Sequence, residues 1–224
     1  MPSRSTTIAL AAAAALAWTG IARATPITEL KIGGHIYSDP SGFVVHAVTS
    51  SVFKGTTFIA SGYPYAGSLT DPQIDLGGTI KVSGPGTLVA SITQTGITSL
   101  SAMWSMDSEL SATLKTAGLS LSYETYYDLS DTAFGTATLL SKTPTPLTDT
   151  GSYTATALIH ASAPFSITEV MTFVSTKSSR LVSNFDGSLS ATTVPVPEPA
   201  TMSILGAGLL GLAGVARRRN RKTN

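Results

Sequence analysis

Leu119-Ser120-Leu121-Ser122-Tyr123-Glu124 decides the fold class of this chain. Apolar Leu119, Leu121 and Tyr123 alternate with polar Ser120, Ser122 and Glu124, and a period of two sends the two sets to opposite faces of an extended strand. A second run reads the same way: Tyr153, Ala155, Ala157 and Ile159 share one face, opposite Thr154, Thr156 and His160. A strand with one dry face and one wet face is the unit of an antiparallel sheet packed on a core.

Further runs with Ser, Thr, Tyr and Val enrichment extend from Gly42 to Val48, Val52 to Ala60, Ile74 to Val82, Thr87 to Thr93, Ala133 to Leu140, Phe165 to Val174 and Leu181 to Leu189. Ser38-Asp39-Pro40-Ser41-Gly42, Asp71-Pro72, Ser83-Gly84-Pro85-Gly86, Pro144-Thr145-Pro146 and Asp186-Gly187 read as the turns that bound them. Met106, Leu110 and Leu114 have helical spacing, with Gly118 as a stop signal. Leu110, Ala112 and Leu114 also alternate with Ser111, Thr113 and Lys115, and the strand reading is preferred. Many short strands without intervening helices predict an all-β domain, an antiparallel β-sandwich or jelly roll, with Leu119, Leu121, Tyr123, Ile159, Ile167, Met171 and Phe173 in its core.

Both ends read as targeting segments. Arg4, the Ala-rich apolar run from Ile8 to Trp18 and Ala22-Arg23-Ala24 have the layout of a signal peptide, residues 1–24, cut by signal peptidase. The other end runs from Val196-Pro197-Glu198-Pro199 into an apolar, Gly-rich stretch, residues 200–216, closed by Arg217-Arg218-Arg219 in a basic tail, 217–222. As a helix the apolar stretch measures about 25 Å, just short of a bilayer core of about 30 Å, and the arginines resist crossing. The sequence therefore predicts a single transmembrane helix that holds the chain in the membrane before processing, with the folded part, residues 25–194, facing outward.

Without its ends the chain changes sign. Residues 25–194 hold 7 Lys and Arg against 12 Asp and Glu, about −5 with His neutral. No cationic cluster is present there to bind nucleic acid. The chain has no cysteine, which excludes disulfides, thiolate metal sites, a cysteine nucleophile and a lipidated N-terminal cysteine.

No residue set compels an activity. His35, His46 and His160 form no zinc-hydrolase pattern, no serine elbow or phosphate loop occurs, and no catalytic residue, metal ligand or cofactor site is assigned. Asp71 with Asp75, and Asp128 with Asp131, read as turn aspartates that hydrogen-bond their own backbone. Glu169 stands apart. It falls between Ile167 and Met171 on the apolar face that runs from Phe165 to Phe173, where a buried carboxylate is costly. The expectation is that its strand twists, bulges or lies at an edge, so that Glu169 reaches water. Tyr63 and Tyr65, in a loop-like Tyr-Pro-Tyr, join Glu169 as candidate ligand contacts, and Tyr126-Tyr127 places two rings on opposite faces.

Pro197-Glu198-Pro199, the Gly-rich apolar run and the arginine cluster together resemble the PEP-CTERM sorting signal of exported bacterial proteins, over residues 195–224. The resemblance implies exosortase as the processing partner, with Pro197, Glu198 and Pro199 as recognition residues and Arg217, Arg218 and Arg219 setting topology. It implies export through the inner membrane and a cell-surface or extracellular location after C-terminal processing. On this reading the chain is a non-enzymatic surface or matrix protein associated with extracellular polysaccharide. The alternatives are a carbohydrate-binding module using the tyrosines and, behind it, an exported hydrolase with Glu169 beside a second acid in a cleft.

Overall fold

The computed structural model describes residues 27–38, 43–63, 72–97, 103–161, 164–179 and 181–194. They form twelve strands: β1 (Ile27–Ile32), β2 (His35–Ser38), β3 (Phe43–Ala47), β4 (Thr57–Tyr63), β5 (Gln73–Lys81), β6 (Gly86–Ile97), β7 (Met103–Thr113), β8 (Leu119–Asp128), β9 (Thr138–Lys142), β10 (Gly151–His160), β11 (Phe165–Ser175) and β12 (Val182–Thr193). Among the described residues no helix is long and apolar enough to cross a membrane. The chain separates into two units, residues 1–193 and 194–224, and all twelve strands belong to the first. The signal peptide, the tail helix, Tyr65 and the sorting residues Pro197, Glu198, Pro199, Arg217, Arg218 and Arg219 lie outside the described residues.

Two six-stranded antiparallel sheets face each other. Sheet A has the order β2-β1-β6-β11-β8-β9, and sheet B the order β10-β7-β12-β5-β4-β3. The pairs β5·β12, β6·β11, β7·β10 and β8·β9 are all antiparallel partners. The chain from residue 73 to 193 is thus one long hairpin with its tip between β8 and β9, rolled up so that alternate arms fall in opposite sheets. That is the eight-strand jelly-roll winding. The β1–β2 and β3–β4 hairpins widen sheet A beside β6 and sheet B beside β5.

The core follows from the alternation. Leu119, Leu121, Tyr123, Ile159, Ile167, Met171 and Phe173 are all buried, as the period of two predicts. At one end Phe58 and Phe185 of sheet B meet Phe173 of sheet A, with ring centroids 4.8 to 6.0 Å apart. At the other end Trp104 of sheet B packs edge-on against Phe165 of sheet A at 5.3 Å. Such aromatic contacts between sheets dominate the burial energy, at about 1.5–3 kcal/mol for each large side chain.

Strands β6 and β11 are buried on both faces for much of their length. The loop from β8 to β9 covers their outer side: Ser166 Oγ donates to the Thr132 carbonyl at 2.8 Å, and Gly96 N donates to Asp131 Oδ1 at 2.7 Å. Beneath that cover the Thr93 and Thr168 hydroxyls hydrogen-bond each other at 3.1 Å.

Several sequence expectations are corrected. The strand expected from Ala133 is delayed to Thr138, because the β8–β9 loop turns back over sheet A with Asp131 at φ 55° and Phe134 at φ 57°. Asp186-Gly187 is no turn but the interior of β12, paired on both sides. Val52 to Thr56 precede β4 rather than belonging to it. Strands β1 and β2 were not anticipated, although Thr28, Leu30 and Ile32 turn inward with the required spacing. Glu169 is neither at an edge nor on a bulge: β11 lies between β6 and β8, and its register shift falls between Phe165 and Ile167.

Gly78 sits between Phe58 and Phe185 in neighbouring strands, with φ 149°. A Cβ there would run into the Thr57 carbonyl oxygen and stand 3.3 Å from Phe185 Cζ. Gly78→Ala therefore forces the backbone of β4 and β5 apart, and is expected to cost about 1–3 kcal/mol, read as a lowered urea midpoint with unchanged slope.

Candidate functional site

Where β8, β11 and β12 meet at mid-core, the apolar packing gives way to polar groups. Glu169 is fully buried, and its Oε1 lies 3.0 Å from Tyr123 Oη. The same hydroxyl lies 2.9 Å from the Ser188 carbonyl oxygen, so a side chain of sheet A reaches the backbone of sheet B. Glu169 Oε2 has no hydrogen-bond partner among the described residues. Next to this contact Ser108 of β7 and Thr125 of β8 share a hydrogen bond at 2.9 Å, which Thr125 extends to Ser141 of β9 at 2.7 Å. These two contacts are polar links between sheets whose facing side chains are, among the described residues, mostly apolar.

Sheet B is built to admit them. Gly187 of β12 carries no side chain, and a Cβ there would collide with Met171 Cε and stand 3.1 Å from the Tyr123 ring. The ring therefore comes close to β12 at Gly187, with its hydroxyl at the neighbouring Ser188. Through the thin sheet, Glu169 also feels two carboxylates of the outer face, Asp75 and Asp186. Burial pushes Glu169 well above the ordinary carboxylate range, Tyr123 opposes this through its hydrogen bond, and Asp75 and Asp186 add to it. Burial raises the Tyr123 phenol as well, reinforced by Glu169.

The outer face of sheet B is a polar carpet. Ser188 has Glu109 as its partner on one side and Asp75 on the other; Asp186 has Ser111 and Gly77. Asp107 accepts a hydrogen bond from Thr156 of β10 at 2.6 Å. A groove of about 410 Å³ opens beside them, lined in part by Ser111, Thr113, Ser152, Asn184 and Asp186. Burial, aided by Asp186, raises Asp75 from its ordinary 3.8 to about 6.

The remaining sequence candidates do not converge on Glu169. Tyr63 ends β4, and its side chain, like Tyr65, is outside the described residues. Tyr126 is tied to Glu124, which also bridges Lys142 at 2.6 Å. Asp128 accepts from Ser130 N at 2.8 Å, and Asp131 caps Gly96, so these aspartates serve their own loop. His35, His46 and His160 lie on three separate strands, β2, β3 and β10, with His46 stacked on Tyr37. Among the described residues no group of three or more His, Asp or Glu is placed to hold a metal ion. Sequence reasoning missed Asp75 and Asp186 as neighbours of Glu169, because their proximity is set by how the sheets stack.

Residues 195–220 match the PEP-CTERM protein-sorting motif. The motif marks the chain for export and for processing by exosortase, to a cell-surface or extracellular location. No curated protein matches the chain. Among solved structures it is similar to an infectious bursal disease virus Gx strain structure, at 13% identity over 80% of this chain and 54% of that one, with a TM-score of 0.31. It is similar to the enzymatically active domain of bacteriophage CBA120 tailspike protein 4, at 13% identity, 70% and 20% coverage and TM-score 0.32. A family 16 carbohydrate-binding module is similar at 13% identity, 62% and 85% coverage and TM-score 0.21. This chain spans about half of the viral chain and a fifth of the tailspike chain. At such TM-scores none of the three bears on function.

Tyr123→Phe removes the hydroxyl between Glu169 and Ser188 and leaves buried polar groups unpaired, which is expected to cost about 1–3 kcal/mol in urea unfolding. Asp75 binds its proton more tightly folded than unfolded, so its contribution to stability falls as pH rises from about 4 to about 6. Asp75→Asn should flatten that part of the pH–stability curve.

Proposed function

We propose that this is an exported cell-surface or extracellular-matrix protein whose jelly roll associates with extracellular polysaccharide and performs no chemistry on it. The sorting motif supplies the delivery. The outer face of sheet B supplies the contact: Asp107, Glu109, Asp186, Asn184 and the serines and threonines between them offer a dense row of acceptors and donors for sugar hydroxyls. That face is the observation that favours polysaccharide association.

The hydrolase alternative needs two carboxylates reaching one substrate across a cleft. Glu169 is fully buried and lines neither the groove on sheet B nor the second groove beside Lys31 and Thr87. A group sealed from solvent transfers no proton to a polymer. In this reading Glu169 serves the fold.

Two outcomes test the proposal. Glu198→Ala lies in the sorting motif, outside the sandwich, so cell fractionation should find the variant unprocessed and retained at the membrane with its domain folded. Purified wild-type protein should retain the exopolysaccharide of its own host saturably and leave its chain length unchanged, with Asp186→Ala combined with Asn184→Ala weakening retention several-fold. Shortening of the polymer would favour the hydrolase, and normal delivery of Glu198→Ala would remove the sorting role.

A further inference from the structure

Tyr123 Oη carries one proton and faces two acceptors. Glu169 Oε1 is 3.0 Å away and the Ser188 carbonyl oxygen 2.9 Å away. Were Glu169 ionised, that proton could be given in full to only one of them, and the other would face oxygen lone pairs across a buried gap. The Ser188 carbonyl has no proton to give. The missing hydrogen can come only from Glu169.

The surroundings agree. The titratable groups facing Glu169 are Tyr123 on β8, Asp75 on β5 and Asp186 on β12, with Tyr153 packed edge-on against Tyr123 from β10 at 6.5 Å. Each is neutral or anionic, so no counter-charge is offered. From β6 the residue in register is Ile92, and from β8 it is Thr125, whose hydroxyl is engaged by Ser108 and Ser141. A buried carboxylate with no cation and an unpartnered Oε2 takes up a proton instead.

We propose that Glu169 is a proton-loaded switch in the core: it keeps its proton at neutral pH and donates it to Tyr123 Oη, which frees the tyrosine proton for the Ser188 carbonyl and so ties sheet A to sheet B. Loss of the Glu169 proton turns the Tyr123 hydroxyl toward the carboxylate, takes its proton from the Ser188 carbonyl and leaves an anion between the sheets, so alkali loosens the sandwich and acid tightens it. The sign follows from linkage. The folded state holds a proton that the unfolded state releases above the ordinary glutamate range, so the folding equilibrium constant falls about tenfold per pH unit from that range up to the folded-state pKa. For a protein delivered to the cell exterior, where pH is not buffered by the cytoplasm, this makes the stiffness of the domain respond to its medium.

Urea unfolding of the full chain from pH 5 to pH 9, wild type beside Glu169→Gln, tests the switch. The glutamine amide can donate to Tyr123 Oη as the acid does, but carries no titrating proton. The two should be matched near pH 5, with the variant's advantage growing about tenfold in equilibrium constant for each pH unit above it. Parallel pH–stability curves, or a variant less stable at pH 8, would overturn the proposal. Should the variant fail to fold, wild type alone decides: unfolding at pH 8 in weak buffer should release about one proton, because Asp75 has already titrated and burial holds the Tyr123 phenol protonated. Release of none would overturn it equally.

Discussion

The hydroxyl of Tyr123, held between the Glu169 carboxyl of its own sheet and the Ser188 carbonyl of the other, is the contact around which the interior is arranged. Elsewhere the sheets adhere through apolar side chains, which fix how much surface is buried but tolerate sliding. A hydrogen bond across the gap has one geometry. With the Ser108–Thr125–Ser141 chain beside it, it sets the register of one sheet on the other, between the Phe58, Phe173 and Phe185 cluster at one end and the Trp104 and Phe165 pair at the other. Gly187 belongs to this arrangement because Met171 Cε, with the Tyr123 ring beside it, takes the space that a side chain would occupy.

With no cysteine to staple it, the domain depends on this packing and on the winding of its chain. The jelly roll answers the second need. Each arm of the long hairpin from residue 73 to 193 lies against its partner arm, while successive strands from β5 to β12 cross between sheets except at β8–β9. The tip of that hairpin, the β8–β9 loop, is also the segment that folds over sheet A and covers Thr93 and Thr168. Sorting information stands apart from all of this, in residues 195–220, so delivery and folding are written in separate parts of the chain.

Alternation in Leu119 to Tyr123 and Phe165 to Phe173 was enough to read strands, their inward faces and the sandwich. The winding was not legible, because pairing β5 with β12 joins segments about a hundred residues apart and nothing local encodes it. Asp186-Gly187 looked like a turn because those residue types usually make one; here tertiary packing uses the glycine for clearance. Glu169 was legible as an anomaly, since its position on an apolar face follows from spacing alone. Its resolution was not, since the general cost of burying charge argues for an exposed carboxylate, whereas a tyrosine from β8 makes a buried neutral acid acceptable. Asp75 and Asp186 stayed hidden as its neighbours because they belong to the far sheet's outer face.

The state of one proton therefore distinguishes a sealed structural acid from a carboxylate poised for chemistry. Carbon-detected NMR of the Glu169 side-chain carboxyl, followed across pH, observes it directly. A neutral Glu169 keeps the chemical shift of a protonated acid through about pH 8. A Glu169 resonance that moves to the carboxylate position below about pH 6 would contradict the buried relay.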